Sequence, residues 1–129
     1  MPVVCLVLRD RAGYVLATQR PAGKKLGSLW EFPGGKVEAS EHAEAALRRE
    51  LREELELNVG PLTPLMPVDH TYPFGPVHLI PFQHVCENRP ELELKEHSDA
   101  RWIRLKDWEQ LDWAPADLPV IEQLLDQEN

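Results

Sequence analysis

The chain has 129 residues, enough for one two-layer hydrophobic core and too few for two independent ones, so we expect a single domain over residues 1–129. Its formal net charge of −8 argues against sequence-independent binding to a nucleic-acid polymer, which requires a basic surface. Free nucleotides are not excluded, because a metal ion held by clustered carboxylates supplies positive charge locally.

The amino-terminal segment contains two β-rich runs, residues 3–8 and 14–18, joined by a charged turn that ends at Gly13. No basic leader precedes them, and no stretch approaches the roughly 20 apolar residues of a membrane-spanning helix. We therefore expect a soluble, cytoplasmic protein with no membrane partner. Cys5 and Cys86 lie in strand-like apolar segments without metal-ligand spacing, and we expect both to be buried free thiols.

A flexible basic loop over residues 21–27 precedes a short apolar run at 29–32 and a Pro-Gly-Gly turn. The next element is an amphipathic helix, predicted from about His42 to Glu56. Its start is weakly signalled: Ser40 could cap the helix, but the residue three positions later is not the acidic partner of a capping box.

Two further strands are predicted at about 64–72 and 76–87, with a hinge at residues 73–75. Pro81 interrupts the second of them. Because proline has no amide hydrogen to donate to a ladder, we expect that part of the strand to be an edge or a bulge.

Residues 88–99 are rich in charge and are typical of a loop, and a strand is predicted at 101–105. The apolar side of a final helix is formed by Val120, Ile121, Leu124 and Leu125, at helical spacing. Runs of strands with one central helix and one late helix indicate a mixed α+β domain.

The central helix carries an acidic triplet, Glu50, Glu53 and Glu54, at positions i, i+3 and i+4. At about 100° per residue, Glu54 lies about 20° from Leu47 and therefore inside the apolar stripe. An ionised carboxylate there is disfavoured and clustered ones repel, so the triplet requires a cation. A solvated helix with ion pairs explains outer acidic residues but not Glu54. Carboxylate oxygens favour a hard divalent ion, usually Mg²⁺ where phosphates complete the shell.

The same segment resembles the Nudix box, the fixed-spacing pattern of the Nudix hydrolase family. The positions in register are Gly35, Glu41, Arg49, Glu50, Leu51, Glu53, Glu54 and Leu57. The late glycine of the box is replaced by Glu56, so we expect the exit from the helix to be affected rather than the metal cluster. The chain most resembles the MutT-type nucleoside triphosphate pyrophosphohydrolases, including their cytidine-triphosphate branch. Matching segments outside the box are residues 16–21, 29–38, 95–97 and 114–119.

This resemblance implies an α/β/α sandwich around a mixed sheet, and hydrolysis of a nucleoside triphosphate to monophosphate and pyrophosphate with Mg²⁺, or with Mn²⁺ in its place. The implied catalytic residues are Arg49, Glu50 and Glu53. The implied metal ligands are the carbonyl of Gly34 and the carboxylates of Glu50, Glu53 and Glu54. Glu50 is either a ligand or the base, and Arg49 is expected to pair with a box carboxylate such as Glu41 and hold the helix against the loop.

Outside the box the resemblance implies three more residues. Glu96 matches a later metal-binding or base glutamate, although its surroundings are equally typical of a solvated loop. Lys36 and Arg20 are candidate phosphate contacts, although either residue alone is more often a surface charge.

Asp117 matches the position at which the strict oxidised-guanine enzymes carry Asn, and it is the candidate for recognising the base. An ionised Asp only accepts hydrogen bonds, which suits the amine of cytosine or an oxidised purine that presents donors. A protonated Asp in an apolar pocket both donates and accepts. Alternatively, Asp117 caps the last helix. Tyr72, Phe74 and Phe82 are candidates either for stacking on a base or for the core, and we expect Phe74 to contact the substrate.

Three functions follow from these patterns. The first is a Mg²⁺-dependent, monomeric diphosphatase that removes oxidised deoxynucleoside triphosphates such as 8-oxo-dGTP. The second is hydrolysis of (d)CTP or methylated dCTP, which Asp117 favours. The third is a nucleotide-binding module without turnover. The acidic triplet argues against the third, because a binder has no need to concentrate negative charge beside a polyanionic ligand.

Overall fold

A computed structural model describes residues 1–128. The strands are β1 (Pro2–Asp10), β2 (Tyr14–Gln19), β3 (Trp30–Glu31), β4 (Gly34–Lys36), β5 (Thr63–Pro64), β6 (Val68–Tyr72), β7 (Gly75–Cys86) and β8 (Asp99–Arg104). The α-helices are α1 (Ala43–Leu55) and α2 (Leu118–Gln127), with short 3₁₀ segments at Leu105–Gln110 and Pro115–Asp117. Within residues 1–128, no helix combines the length and apolar character that crossing a membrane requires.

All eight strands belong to one mixed sheet, in which β1 is central. It pairs in parallel with β7 along its whole length, from Pro2 opposite His78 to Asp10 opposite Cys86. On its other side it is antiparallel to β4 and, at its far end, to β2. Among residues 1–128, strand β8 pairs with β2 alone, and β5 and β6 add to the outer side of β7.

Each face of the sheet is covered by one helix. Alternate residues of β1 point to opposite faces, because side chains in a strand have a period of two. One core contains Val4, Leu6 and Leu8 of β1 together with the buried leucines of α1, and the other contains Cys5 and Val7 together with Val120, Ile121 and Leu124 of α2. This three-layer arrangement confirms the α/β/α sandwich around a mixed sheet. Cys5 and Cys86 are buried and free, as predicted.

The backbone of β4 approaches β1 more closely than a side chain would allow. A Cβ atom at Gly34 would lie 1.9 Å from the carbonyl oxygen of Val4, far inside contact distance. Only glycine permits this approach without displacing backbone. The Pro-Gly-Gly turn therefore brings β4, and the start of the segment that leads to α1, directly onto the central strand.

The predicted boundaries of α1 were close, but its predicted cap was wrong. The helix begins at Ala43, with His42 as the N-cap residue and no side-chain capping hydrogen bond. Ser40 instead lies two residues before the N-cap position, in the preceding turn, where it has a positive φ of 65°. The weak capping signal of the sequence corresponds to a helix end without a side-chain cap.

The strand predictions around Pro81 need two corrections. Strand β7 continues through Pro81, which lies opposite Cys5 in the parallel ladder with β1. The carbonyl of Pro81 accepts a bond from Leu65, so the missing amide hydrogen faces the outer side, in the interval between the β6 and β5 ladders. The single strand expected at 64–72 is divided into β5 and β6 by that same interval.

The exit from α1 keeps a left-handed residue although the glycine of the box is absent. Glu56 has φ 51° and ψ 38°. Its N–H donates to the carbonyl of Arg52, and the N–H of Leu57 donates to the carbonyl of Leu51, both at 3.1 Å. These bonds satisfy carbonyls at the helix end, so the side chain of Glu56 is accommodated at the cost of backbone strain.

We predict that Glu56→Gly stabilises the protein by about 0.5–1 kcal/mol, because glycine adopts this φ without a Cβ clash. Urea unfolding measures the change. Glu56→Gln is the matched control, since it removes the 3.4 Å ion pair with Lys95 but keeps a side chain at the strained position. The control should differ little from the parent, and equal stabilities for all three proteins would show that the left-handed residue carries no strain.

Candidate active site

The three acidic side chains of the triplet on α1 differ in exposure. The side chain of Glu54 is 17% exposed, whereas that of Glu53 is 60% exposed. The side chain of Glu50 is 13% exposed and lies against β4, where a Cβ at Gly35 would come within 2.4 Å of its carboxylate. A second glycine is therefore needed for α1 to pack on β4 with Glu50 in between.

Arg49 joins the helix to the preceding loop. Its guanidinium donates two hydrogen bonds to Glu41, of 2.8 and 2.9 Å, and one of 2.9 Å to Glu50. A further bond of 3.1 Å reaches the carbonyl of Lys36 in β4. The predicted contact between Arg49 and Glu41 is confirmed, and it holds the pKa of Glu41 at about 2 through those hydrogen bonds.

Glu54 occupies an unfavourable electrostatic position. Burial, the neighbouring Glu50, and then Glu96 and Glu31 raise the pKa of Glu54 well above its usual range. A divalent cation would relieve this repulsion, and carboxylate and carbonyl oxygens are the donors that Mg²⁺ prefers. The donor set fits such an ion, although no closed cage of three ligating side chains is preformed within residues 1–128.

The loop after β7 brings two more side chains to α1. The N–H of Lys95 donates to the carbonyl of Glu54, which places Glu96 at the cleft beside that carboxylate. His97 is almost wholly buried, and its Nε2 lies 3.5 Å from a carboxylate oxygen of Glu31 and 3.9 Å from one of Glu54. Sequence reasoning missed Glu31 and His97 as site residues. The signal for Glu31 in the sequence is a charged residue between Trp30 and Phe32, which are both buried aromatic residues.

Two cavities meet at this site. An apolar pocket of about 360 Å³ lies on the α2 side of the sheet, and an acidic cleft of about 690 Å³ contains Glu50, Glu54 and Glu96. The residues that line both are Arg20, Lys24, Glu31, Gly34, Gly35 and Lys36. The predicted phosphate contacts Arg20 and Lys36 therefore lie on the wall between the two cavities.

Arg20 already has partners in this wall. Its Nη1 lies 3.2 Å from Glu31, and its Nε donates a 2.7 Å hydrogen bond to the carbonyl of Lys25. Arg20 thus closes the basic loop 21–27 on itself and pairs with a carboxylate of the site. Lys36 makes no such side-chain pair within residues 1–128, and its side chain is exposed at the cleft.

Asp117 is a buried acidic residue, with 5% of its surface exposed. Its Oδ2 accepts a 3.3 Å hydrogen bond from the N–H of Phe32, and the residue lines the apolar pocket. Burial, with added repulsion from Glu31, raises the pKa of Asp117 well above its usual range. The side chain makes no capping bond to α2, so the interpretation of Asp117 as a side-chain cap is wrong.

The three aromatic candidates have different locations. Tyr72 lines the apolar pocket, and its hydroxyl accepts a 2.8 Å bond from the N–H of Ala116. Phe74 stacks on Tyr72 with ring centroids 5.0 Å apart, and it lies at the rim of the pocket with Lys25 over its ring. Phe82 packs into the core under α1, on the opposite face of the sheet, and is therefore excluded from the pocket.

Comparisons with known proteins agree with this geometry. The Nudix domain family matches residues 1–124, and the chain belongs to the Nudix family. The CTP pyrophosphohydrolase of Escherichia coli (strain K12) is 36% identical over 126 residues, covering 95% of this chain and 90% of that protein. The 8-oxo-dGTP diphosphatase of Proteus vulgaris is 41% identical over 92 residues, covering 71% of this chain and 81% of that protein.

Solved structures show the same architecture. The solution structure of the E. coli ORF135 protein is 35% identical and has a TM-score of 0.79, covering 98% of this chain and 89% of that chain. The MutT protein of Methanosarcina mazei Go1 has a TM-score of 0.86 at 23% identity, covering 100% of this chain and 94% of that chain. At 23% identity, the comparison with the Methanosarcina protein shows a shared fold alone.

We predict that Glu54→Gln raises the free energy of unfolding at pH 8 without divalent metal by about 1–2 kcal/mol, because the amide keeps the shape and removes the desolvated charge. The folded pKa of Glu54 lies above its ordinary 4.5. Parent stability therefore falls as the pH rises from that ordinary value through the raised one, whereas the variant lacks this slope.

Urea unfolding at pH 5 and pH 8 in EDTA measures this effect, with Glu53→Gln as the control at the exposed position. Mg²⁺ added at pH 8 should stabilise the parent more than Glu54→Gln, since only the parent offers this ligand. An unchanged pH slope in Glu54→Gln would show that Glu54 carries no electrostatic penalty.

Proposed function

We propose that the protein is a Mg²⁺-dependent nucleoside triphosphate diphosphatase that hydrolyses its substrate to monophosphate and pyrophosphate. We further propose oxidised deoxynucleoside triphosphates such as 8-oxo-dGTP as its substrates, and action as a monomer in the cytoplasm. The observation that carries the proposal is the junction of the two cavities. A pocket with apolar walls and a buried acid, Asp117, opens into a cleft lined by Glu50, Glu54 and Glu96.

The two cavities suit the two parts of a nucleotide. A flat base fills an apolar pocket with a few polar groups, here the Asp117 carboxyl between Phe32 and Tyr72. The phosphates then extend along the shared wall past Lys36 into the acidic cleft. Mn²⁺ is the expected substitute for Mg²⁺, because both accept oxygen ligands.

The residues of the cleft have separate tasks in this proposal. Glu50, Glu53, Glu54 and the Gly34 carbonyl would hold the metal, which when bound neutralises phosphate charge and polarises the phosphoryl group. Arg49 fixes Glu50 by donating to one of its oxygens, leaving the other for ligation. Glu96 forms no ion pair among the described residues, so it is the carboxylate best able to accept the proton of the attacking water. Glu50 is the alternative base.

Asp117 supports an oxidised guanine as the base. Because Oδ2 accepts from Phe32, a protonated Asp117 carries its hydrogen on Oδ1 and presents one donor and one acceptor to the pocket. Oxidation at C8 places a hydrogen on N7 of guanine beside the O6 acceptor, whereas unmodified guanine presents two acceptors there. The acid pairs with the first pattern and leaves an acceptor opposed to an acceptor in the second.

A second candidate is hydrolysis of (d)CTP or methylated dCTP. Cytosine presents its N4 amine as a donor, and an ionised Asp117, which only accepts hydrogen bonds, suits that amine. The relative named CTP pyrophosphohydrolase favours this candidate. The pocket volume of about 360 Å³ favours the larger, bicyclic base instead. A binding module without turnover stays the least supported alternative, because it leaves the buried charge of Glu54 without a purpose.

The proposal predicts monophosphate and pyrophosphate as the first products from 8-oxo-dGTP and Mg²⁺. Reaction in ¹⁸O-labelled water followed by mass spectrometry shows which phosphorus received the oxygen. Glu53→Gln, purified in parallel, is the control for contaminating phosphatases, because loss of a metal carboxylate should lower turnover by orders of magnitude. Orthophosphate as the first product would contradict the proposed reaction.

We predict that Asp117→Asn changes the ranking of substrates more than the rate on the best one. Asn keeps one donor and one acceptor, so hydrolysis of 8-oxo-dGTP should fall only modestly, while the 8-oxo-dGTP to dCTP ratio of kcat/KM should change roughly 5- to 150-fold. The raised pKa of Asp117 adds a pH signature. As the pH rises, ionisation removes the donor in the parent, so its kcat/KM for 8-oxo-dGTP declines, whereas the variant has no such decline.

The measurement is the ratio of kcat/KM for 8-oxo-dGTP and dCTP across pH 6–9. Asp126→Asn makes the same chemical change at an exposed position of α2 and should leave both the ratio and its pH dependence unchanged. A ratio in Asp117→Asn that matches the parent at every pH would show that Asp117 does not recognise the base.

A further inference from the structure

We propose that His97 is a positioning residue that holds Glu31 beside Glu54, and so couples occupation of the apolar pocket to binding in the acidic cleft. The inference rests on the proposed function, because it concerns how the two parts of one substrate are recognised together. Its basis is the location of a single buried imidazole between carboxylates that belong to different elements.

The imidazole of His97 links the two sides of the site. Glu31 comes from β3 and lines both cavities, whereas Glu54 comes from α1 and lines only the cleft. The Nε2 atom of His97 lies 3.5 Å from Glu31 and 3.9 Å from Glu54, and the ring is 5% exposed. Both distances exceed those of a formed hydrogen bond, so the two carboxylates share one nitrogen that neither fully engages.

The other ring nitrogen indicates which tautomer is present. Nδ1 of His97 is buried and has no hydrogen-bond partner among residues 1–128. An N–H there would be desolvated without an acceptor, so the geometry favours Nε2 as the donor, because the carboxyl groups of Glu31 and Glu54 face it. A histidine retained only for packing gains nothing from a buried, unsatisfied nitrogen, whereas one that donates between two carboxylates requires this orientation.

The backbone on both sides of His97 is fixed. The N–H of Lys95 donates to the carbonyl of Glu54 at 3.2 Å, and the N–H of Ser98 donates to the carbonyl of Gln19 at 3.0 Å. The backbone that carries the ring is therefore hydrogen-bonded to α1 on one side and to β2 on the other. A displacement of Glu31 by a base in the pocket changes the share of the Nε2–H that Glu54 receives, and a displacement of Glu54 acts on Glu31 in the same way.

The test measures coupling instead of turnover. Calorimetry gives the affinity of the phosphate-free nucleoside 8-oxo-2′-deoxyguanosine with and without saturating Mg²⁺, so that no phosphate joins base and metal directly, and the ratio of the two affinities is the coupling factor. His97→Asn moves the side-chain nitrogen to the Nδ1 position, and it should lower the coupling factor by roughly 5-fold or more. His97→Gln extends an amide nitrogen toward the Nε2 position, and it should keep the factor within about twofold of the parent.

Two further variants separate positioning from packing. Ser98→Ala removes the side-chain bonds of the neighbouring residue to Gln19 and should leave the coupling factor unchanged. Glu31→Gln should lower the factor as His97→Asn does, and the double variant Glu31→Gln with His97→Asn should lose little more than either single change, because both act on one contact.

Each outcome decides the proposal. A parent-like factor in a folded His97→Asn variant overturns it, as does a loss in His97→Gln equal to that in His97→Asn. Should His97→Asn fail to fold by circular dichroism, the Glu31→Gln protein decides alone, and an unchanged factor there overturns the role of His97. A parent protein that binds 8-oxo-2′-deoxyguanosine and hydrolyses 8-oxo-dGTP separates these results from a failure of the proposed function, which would remove both proposals.

Discussion

The site depends on the absence of side chains at Gly34 and Gly35. The first glycine lets β4 lie against the carbonyl of Val4, and the second leaves room for the carboxylate of Glu50. Without both approaches α1 would stand farther from the sheet, and Arg49 could not reach the carbonyl of Lys36. A steric constraint of two residues thus sets the distance between a helix that carries acidic groups and the central strand that anchors them.

Charge is distributed unevenly around that helix. Arg49 compensates the carboxylates on the outer side, through its bonds to Glu41, Glu50 and Glu53. The inner side carries Glu54, whose pKa is raised by burial and by repulsion from Glu50, Glu96 and Glu31. Such a group lowers stability unless it is compensated, which supports the divalent cation of the proposed function.

The sequence predicted the local part of this site better than the long-range part. Residues 35–57 are contiguous, so helical spacing alone predicted that Glu50 and Glu54 lie together, whereas the contact of Arg49 with Glu41 was implied by the resemblance to the Nudix box. Glu31 and His97 are separated by more than sixty positions, and their proximity arises from the pairing of β2 with both β3 and β8, which no local pattern encodes. Pro81 was expected to interrupt its strand, but β7 continues through it because the missing amide hydrogen faces the interval between the β6 and β5 ladders, an arrangement that the local sequence does not encode.

The two faces of the site explain how an acidic chain with a net charge of −8 is suited to a polyanion. Lys24, Lys36 and Arg20 line the wall that the two cavities share, while the carboxylates lie deeper along α1. The wall attracts phosphate, but the carboxylates repel it unless a divalent cation lies between them. In the proposed function, metal and triphosphate therefore bind as a pair, and neither occupies the cleft well without the other. The carboxyl group of Glu54, which is unfavourable in the empty protein, therefore also disfavours a triphosphate that arrives without a metal ion.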